Sequence, residues 1–161
     1  MLDALTISVR QAIAEDLSFL ANAHRAGHQA VEDERGGRLD ILLRGRAEPI
    51  EESFKEALTG NDTTVLVGEV DGVPVGYLVV VIETLRSDEL LAKVTDLWVH
   101  PSARGVGVGA NLMGSAADIA QQESCVGIDA RALPGDRVTK NFFESFGLVA
   151  RTIEVHKSFS L

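Results

Sequence analysis

The residues best suited to chemistry lie in one short segment, RGVGVGA at positions 104–110. It follows an apolar, strand-like run and leads into a helix-like run. Amides of a loop and of a first helical turn have no intrahelical partners, and the helix dipole adds partial positive charge there. Glycines let several amides approach one ligand because no Cβ obstructs it, and Arg104 adds a charged donor. The segment therefore predicts a diphosphate site built mainly of backbone.

Two other nucleotide-binding patterns share part of this spacing. Gly105, Gly107 and Ala110 satisfy G-x-G-x-x-G/A, which belongs to a βαβ unit with an acidic residue about 20 positions further on. The runs ahead of the loop indicate antiparallel strands, which disfavours a dinucleotide-binding fold. The stretch GANLMGS lacks the lysine of a triphosphate-binding loop. A glycine turn without any ligand is the remaining alternative, and it costs backbone entropy.

One carboxylate stands on the strand-like run ahead of the loop. Strict alternation places Lys93, Thr95, Leu97 and Val99 on one face and Val94, Asp96, Trp98 and His100 on the other. Asp96 is either a candidate general base or a structural carboxylate that holds a loop, and the sequence leaves both interpretations open.

Two histidines and three potential nucleophiles complete the candidate side chains. His24 and His28 share one helix face, but no third ligand accompanies them, so solvated or loosely structural histidines are favoured over a metal site. Ser115, Ser124 and Cys125 have no base partner visible in the sequence. We therefore expect neither a bound metal nor a covalent nucleophile.

The elements that must position these residues follow from periodicity and turn signals. Asp71-Gly72 joins two apolar, partly alternating runs and predicts a hairpin. Pro49 and Gly60 bound a predicted second helix, and the final stretch LVARTIEVHKSFSL indicates a last strand. The predicted order is β-α-α-β-β-β-α-β-α-β. We expect a single α+β domain over residues 1–161, with a mixed, mostly antiparallel sheet flanked by helices.

The composition restricts partners and location. The chain has 15 Lys and Arg against 24 Asp and Glu, a net charge of −9, which argues against binding a nucleic-acid backbone. No apolar run is long enough to cross a bilayer, and the N-terminal residues do not read as a signal peptide. Cys125 is the only cysteine, so we expect a reducing, cytoplasmic location.

The stretch DLWVHPSARGVGVGANLM resembles the acyl-CoA-binding motif of the GNAT superfamily of N-acyltransferases. The matching residues are Val99, Pro101, Arg104, Gly107 and Gly109. The predicted β-α-α-β opening, the first helix AIAEDLSFLANA and the ending DRVTKNFFESFGLVARTIEVHKSF also fit the family. The resemblance thus covers nearly the whole chain.

This resemblance implies a coenzyme A site. The loop amides would bind the pyrophosphate, and backbone groups of one strand would bind the pantetheine arm where that strand splays from the stretch CVGIDAR. The implied cofactor-binding residues are Leu97, Val99, Arg104, Gly105, Val106, Gly107, Val108, Gly109, Ala110, Asp136 and Phe143. Asp136 stands where the family usually has asparagine, and Phe143 stands where many members have a proton-donating tyrosine.

The resemblance also implies a reaction. We expect transfer of an acetyl group from acetyl-CoA to a primary amine of a small molecule or peptide by direct attack, with Asp96 as the candidate base. Asp96 resembles the acidic residue of an E-D-L-x-V pattern, although Thr95 replaces the glutamate. The alternative is an acyl-CoA-binding sensor or scaffold with weak or lost catalysis, which the departures at Phe143 and Asp136 motivate. A homodimer is compatible with the family.

Overall fold

The computed structural model describes residues 4–160, which form one five-stranded sheet with helices on both faces. The strands are Ile7–Gln11 (β1), Thr63–Val70 (β2), Val73–Thr84 (β3), Leu90–Val99 (β4) and Ile128–Asp129 (β5). The helices are Leu17–Val31 (α1), Gly37–Arg44 (α2), Ile50–Thr59 (α3), Val108–Gln122 (α4) and Arg137–Ser145 (α5). Within residues 4–160, no helix has the length and apolar character that spanning a bilayer requires.

The sheet has the order β1-β2-β3-β4-β5. Its first four strands pair antiparallel, whereas β4 and β5 are parallel and are connected through α4. The parallel pairing is short, since it joins only Ala92 to Ile128 and Lys93 to Asp129. In the described part of the chain, the second half of β4 therefore has a strand neighbour on its β3 side only, and the sheet opens there.

Two apolar layers cover the two faces of the sheet, so the central strand β3 is buried on both faces. Leu78 and Val80 pack on one face against Leu112 and Met113 of α4 and against α5. Tyr77 and Val79 pack on the other face against α1 and α3. The predicted α+β fold with a mixed, mostly antiparallel sheet is confirmed, and so is the hairpin at Asp71-Gly72.

Two details of the predicted order are wrong. A third helix, α2, precedes β2: it begins at Gly37, directly after its N-cap Gly36, whose φ of +81° is left-handed. The predicted last strand does not form: within the described residues, 149–160 contain no helix or strand. Alternating apolar residues become a strand only against a partner edge, and the neighbouring β5 has just two residues.

A β-bulge in β4 overturns the strict alternation predicted for that strand. Val79 pairs with Asp96 but Val80 pairs with Val94, so Thr95 is the extra residue. Val94 consequently packs with α4 and α5, whereas the Asp96 side chain contacts Tyr77 on the opposite face of the sheet. The bulge turns the carboxylate toward α1.

Candidate active site

The glycine loop connects the end of β4 to the start of α4. After β4, a 3₁₀ turn at Pro101–Ala103 leads into Gly105 and Gly107, which have φ of +79° and +105°. Residues with a Cβ avoid this left-handed region, so the loop needs glycine at both positions. The amide of Asn111 donates to Gly107 O at 3.0 Å, and the amides of residues 108–110 precede that first helical bond. They are available to an anion.

The side chains near the loop leave its outer surface open. A Cβ added at Gly105 would meet no atom within 4 Å, and Val106 is exposed. Arg104 folds back, donating from Nε to Val99 O at 3.0 Å. Val108 is buried and lies close to Gly68, where an added Cβ would come within 2.7 Å of its Cγ1 atom. Val108 therefore anchors α4 on the sheet, and only its backbone can reach a ligand.

Leu97 and Val99 lie at the open half of β4. Their side chains pack against the cluster formed with α4 and α5, while their backbone pairs with Leu78 and Gly76 of β3. In residues 4–160, no strand borders them on the β5 side. The edge of β4 thus runs from this opening directly to the glycine loop.

The two positions at which the sequence departs from the family pattern are the N-cap of α5 and a residue within that helix. Asp136 caps the helix, since its Oδ1 accepts from Thr139 N at 3.0 Å. Phe143 is buried in the core cluster between the sheet and α4. Its neighbour Phe142 lies nearer the loop: a Cβ at Gly109 would be 3.5 Å from that ring.

On the other face of the sheet, Asp96 is the centre of a largely buried polar group, here called the Asp96 cluster. Its members are Asp96, His24 of α1, Arg46 of the α2–α3 loop, Tyr77 of β3 and Thr95. Asp96 Oδ2 accepts from Arg46 Nη2 at 3.2 Å and from Thr95 Oγ1 at 2.8 Å. Asp96 Oδ1 lies 3.2 Å from His24 Nδ1 and accepts from Tyr77 Oη at 3.4 Å. The carboxylate keeps 12% exposure.

The cluster fixes the charge of its central carboxyl. Burial disfavours the ionised form of Asp96, but the hydrogen bond from His24, the charge of Arg46 and the Thr95 hydroxyl outweigh it and lower its pKa to about 2. Burial, reinforced by the Asp96 charge, raises the pKa of the Tyr77 hydroxyl well above its ordinary value. At neutral pH Asp96 is therefore an anion, and a weak proton acceptor.

A pocket of about 340 Å³ adjoins the Asp96 cluster between α1, α2 and the start of α3. Its inner wall includes His24, His28 and Arg46, and its rim carries Arg25, Glu32 and Glu48. The rings of His24 and His28 are in contact, with centroids 3.9 Å apart. Burial, followed by the neighbouring His24, lowers the pKa of His28, while Asp96 and Asp40 act in the opposite direction.

Sequence reasoning missed most of this cluster. It assigned His24 to a solvated or loose structural role, whereas His24 is 4% exposed and contacts Asp96. Arg46 and Tyr77 escaped notice because their contacts with Asp96 span 50 and 19 positions of the chain. The spacing of His24 and His28 on one helix face was the available signal. Residues 4–160 contain no group of three or more His, Cys, Asp or Glu arranged to hold a metal ion.

Comparison with known proteins identifies the family. The model of the acetyltransferase (GNAT) family matches residues 30–148. The chain belongs to the GNAT acetyltransferase family. Both the glycine loop and Asp96 lie within the matched GNAT region, whereas His24 and His28 precede it. A search of curated protein sequences finds no significant match to this GNAT chain.

Solved structures share the GNAT fold along almost the full chain. A tetramutant protein from Bacillus halodurans superposes with a TM-score of 0.79 at 23% identity, covering 94% of this chain and 99% of its own. An aminoglycoside acetyltransferase from an uncultured soil metagenomic sample, in complex with sisomicin, gives 0.72 at 18% identity and 96% coverage of both chains. A ribosomal-protein-alanine N-acetyltransferase from Brucella melitensis gives 0.70 at 18% identity, covering 98% of this chain and 100% of its own.

Proposed function

We propose that this GNAT protein is an N-acetyltransferase that moves an acetyl group from acetyl-CoA to a primary amine of a small molecule or peptide. The observation that carries the proposal is the left-handed glycine loop, which joins the open half of β4 to the first turn of α4. Family membership and fold neighbours named as aminoglycoside and ribosomal-protein-alanine acetyltransferases support an amine acceptor.

The residues around the loop fit a coenzyme A donor. Backbone amides from Gly105 to Ala110 suit its pyrophosphate, because anions bind where helix amides lack partners, and Arg104 adds positive charge nearby. Backbone groups of Leu97 and Val99 would bind the pantetheine arm along the open edge of β4. In this proposal Asp136 and Phe143 support the donor from α5, Asp136 through the helix cap and Phe143 by packing.

The acceptor would enter through the pocket beside the Asp96 cluster, on the opposite face of β4. A neutral amine would attack the thioester carbonyl carbon with its lone pair, the carbon–sulfur bond would break, and the amine nitrogen would lose one proton. Asp96, the candidate base from the sequence, has a pKa of about 2. We therefore propose that Asp96 acts as a fixed negative charge and that a less acidic group next to it receives the proton.

The second candidate function is an acyl-CoA-binding sensor or scaffold. It is favoured by Phe143, which is buried in the core and has no hydroxyl with which to protonate a leaving thiolate. A thiolate of moderate pKa can leave without such an acid, so we place the enzyme first. In either case we propose one domain over residues 1–161 in the cytoplasm, with a homodimer as its candidate assembly.

Calorimetric titration with acetyl-CoA and with NAD tests the donor site. We expect saturable binding of acetyl-CoA and none of NAD; the reverse would contradict the proposal. Thiol release from acetyl-CoA is then followed with a panel of polyamines, aminoglycosides, amino acids and peptide N-termini. Turnover with any amine supports the enzyme, whereas acetyl-CoA binding without turnover across the panel supports the sensor.

A further inference from the structure

We propose that His28 and His24 form a proton-accepting pair that leads from the acceptor pocket to Asp96, with His28 as the catalytic residue and His24 as its positioning residue. This inference rests on the proposed function, because it supplies the group that takes the amine proton. It starts from three contacts that no single motif predicts: His28 at the pocket wall, His24 behind it, and Asp96 behind His24.

The inner end of this arrangement fixes the tautomer of His24. Asp96 is ionised and can only accept hydrogen bonds. Its Oδ1 lies 3.2 Å from His24 Nδ1, and Tyr77 Oη, which donates to Asp96, lies 3.2 Å from the same nitrogen, so we infer that Nδ1 carries the proton. The lone pair of the neutral imidazole is then on Nε2. That atom is fully buried and has no hydrogen-bond partner among the described residues.

The outer end opens to the pocket. The His28 ring lies against that of His24, at a centroid separation of 3.9 Å and an interplanar angle of 57°. A Cβ on Gly45 would be 2.9 Å from His28 Cε1, so the glycine gives this ring its space. His28 is half-buried, and the environment that lowers its pKa keeps it neutral and able to accept a proton at physiological pH.

The pair also lies close to where the thioester is expected. Asp96 immediately precedes Leu97 on β4, at the open half of the strand. The other titratable and charged groups that face the pair come from its own helix and from neighbouring elements: Tyr77 on β3, Arg46 and Glu48 in the α2–α3 loop, Asp40 on α2, and Arg25 and Glu32 on α1. Of the groups that contact Asp96, Arg46 has no acceptor atom and Tyr77 keeps its proton at neutral pH because its pKa is raised, so the histidines are the proton acceptors beside this carboxylate.

The amine lone pair forms the bond to the carbonyl carbon, the carbon–sulfur electron pair leaves with the thiolate, and one N–H proton passes to a ring nitrogen of His28. The Asp96 charge favours the resulting imidazolium, and the His24 ring, itself held by Asp96, orients the His28 ring that it contacts. The proton then returns to the thiolate or to water, which regenerates neutral His28.

The kinetic test compares His28→Gln with His156→Gln, a histidine in the exposed segment 149–160. We expect His28→Gln to lower kcat by about 100-fold, to keep acetyl-CoA affinity, and to abolish the fall of activity on the acid side of the pH profile. His156→Gln should change none of these. Added imidazole should restore part of the activity of His28→Ala. An unchanged kcat and pH profile in His28→Gln would overturn the proposal.

An NMR titration of labelled histidines tests the pair without turnover. We expect the His28 signal to titrate below the ordinary histidine range, the His24 ring to be protonated at Nδ1, and His24→Gln to raise the pKa of His28. A His28 titration that is independent of His24 would overturn the coupling. If the wild-type protein failed to bind acetyl-CoA, the proposed function would fall, and this titration would still decide whether the pair exists.

Discussion

The glycine loop and the Asp96 cluster both adjoin β4, but the loop offers backbone groups whereas the cluster consists of side chains. The glycine loop after β4 is mostly exposed backbone with left-handed conformations at Gly105 and Gly107, and an added Cβ at Gly105 would meet open space. The Asp96 cluster on the same strand is largely buried and consists of side chains that contact one carboxylate. We therefore expect substitutions in the loop to weaken ligand binding more than stability. We expect substitutions in the Asp96 cluster to lower the unfolding free energy first.

The largest effect is expected from Asp96→Asn. It removes the charge that compensates the largely buried Arg46, and a broken buried ion pair costs on the order of 3 kcal/mol of unfolding free energy. Urea denaturation would measure it, with Asp118→Asn on the exposed side of α4 as the matched control. Equal stability of the two variants would show that the cluster does not support the fold.

The pH dependence of stability gives the next largest effect. Because the pKa of Asp96 falls from 3.8 to about 2 on folding, the carboxylate stabilises the native state above pH ~4 and loses that contribution as the pH falls toward ~2. The linked free energy is on the order of 2 kcal/mol. The stability difference between wild type and Asp96→Asn should therefore shrink across this window. A constant difference would contradict the shifted pKa.

A substitution in the glycine loop should change ligand affinity more than stability. Gly107→Ala places a Cβ at a φ of +105°, which costs about 1 kcal/mol of stability and should weaken acetyl-CoA binding by about tenfold or more as amides shift. Gly114→Ala is the matched control, because an added Cβ there meets no atom within 4 Å inside α4. It should gain about 1 kcal/mol and bind normally. Identical affinities in the two variants would exclude the loop as the donor site.

The same contrast explains what the sequence could predict. The glycine loop is a local feature, since one run of residues specifies the strand end, the turn and the helix start, and its position was predicted correctly. The Asp96 cluster joins residues from α1, the α2–α3 loop, β3 and β4. No local pattern records that convergence, so Arg46 and Tyr77 could not be anticipated.

The bulge at Thr95 is a second feature that the sequence does not predict. One extra residue places Val94 and Asp96 on opposite faces of the sheet, although strict alternation puts them on the same face. A pattern of period two does not predict where a bulge occurs. The fold class survived because it depends on the order of the elements and the hairpin at Asp71-Gly72. The predicted last strand is absent from residues 149–160 because a strand also needs a partner edge, and the alternating pattern does not show that β5 has only two residues.

The smallest effect is expected at Arg25, and it tests whether burial is what separates the two kinds of charge. Arg25 contacts Glu48 at 3.4 Å and Glu51 at 3.2 Å, and its side chain is 45% exposed compared with 15% for Arg46. Exposed ion pairs contribute little to the unfolding free energy, and salt screens them. Arg25→Gln should leave the unfolding free energy nearly unchanged, whereas Arg46→Gln should lower it in low and high salt alike. Equal losses in the two variants would mean that the number of ion pairs, and not their burial, determines stability on this face of the sheet.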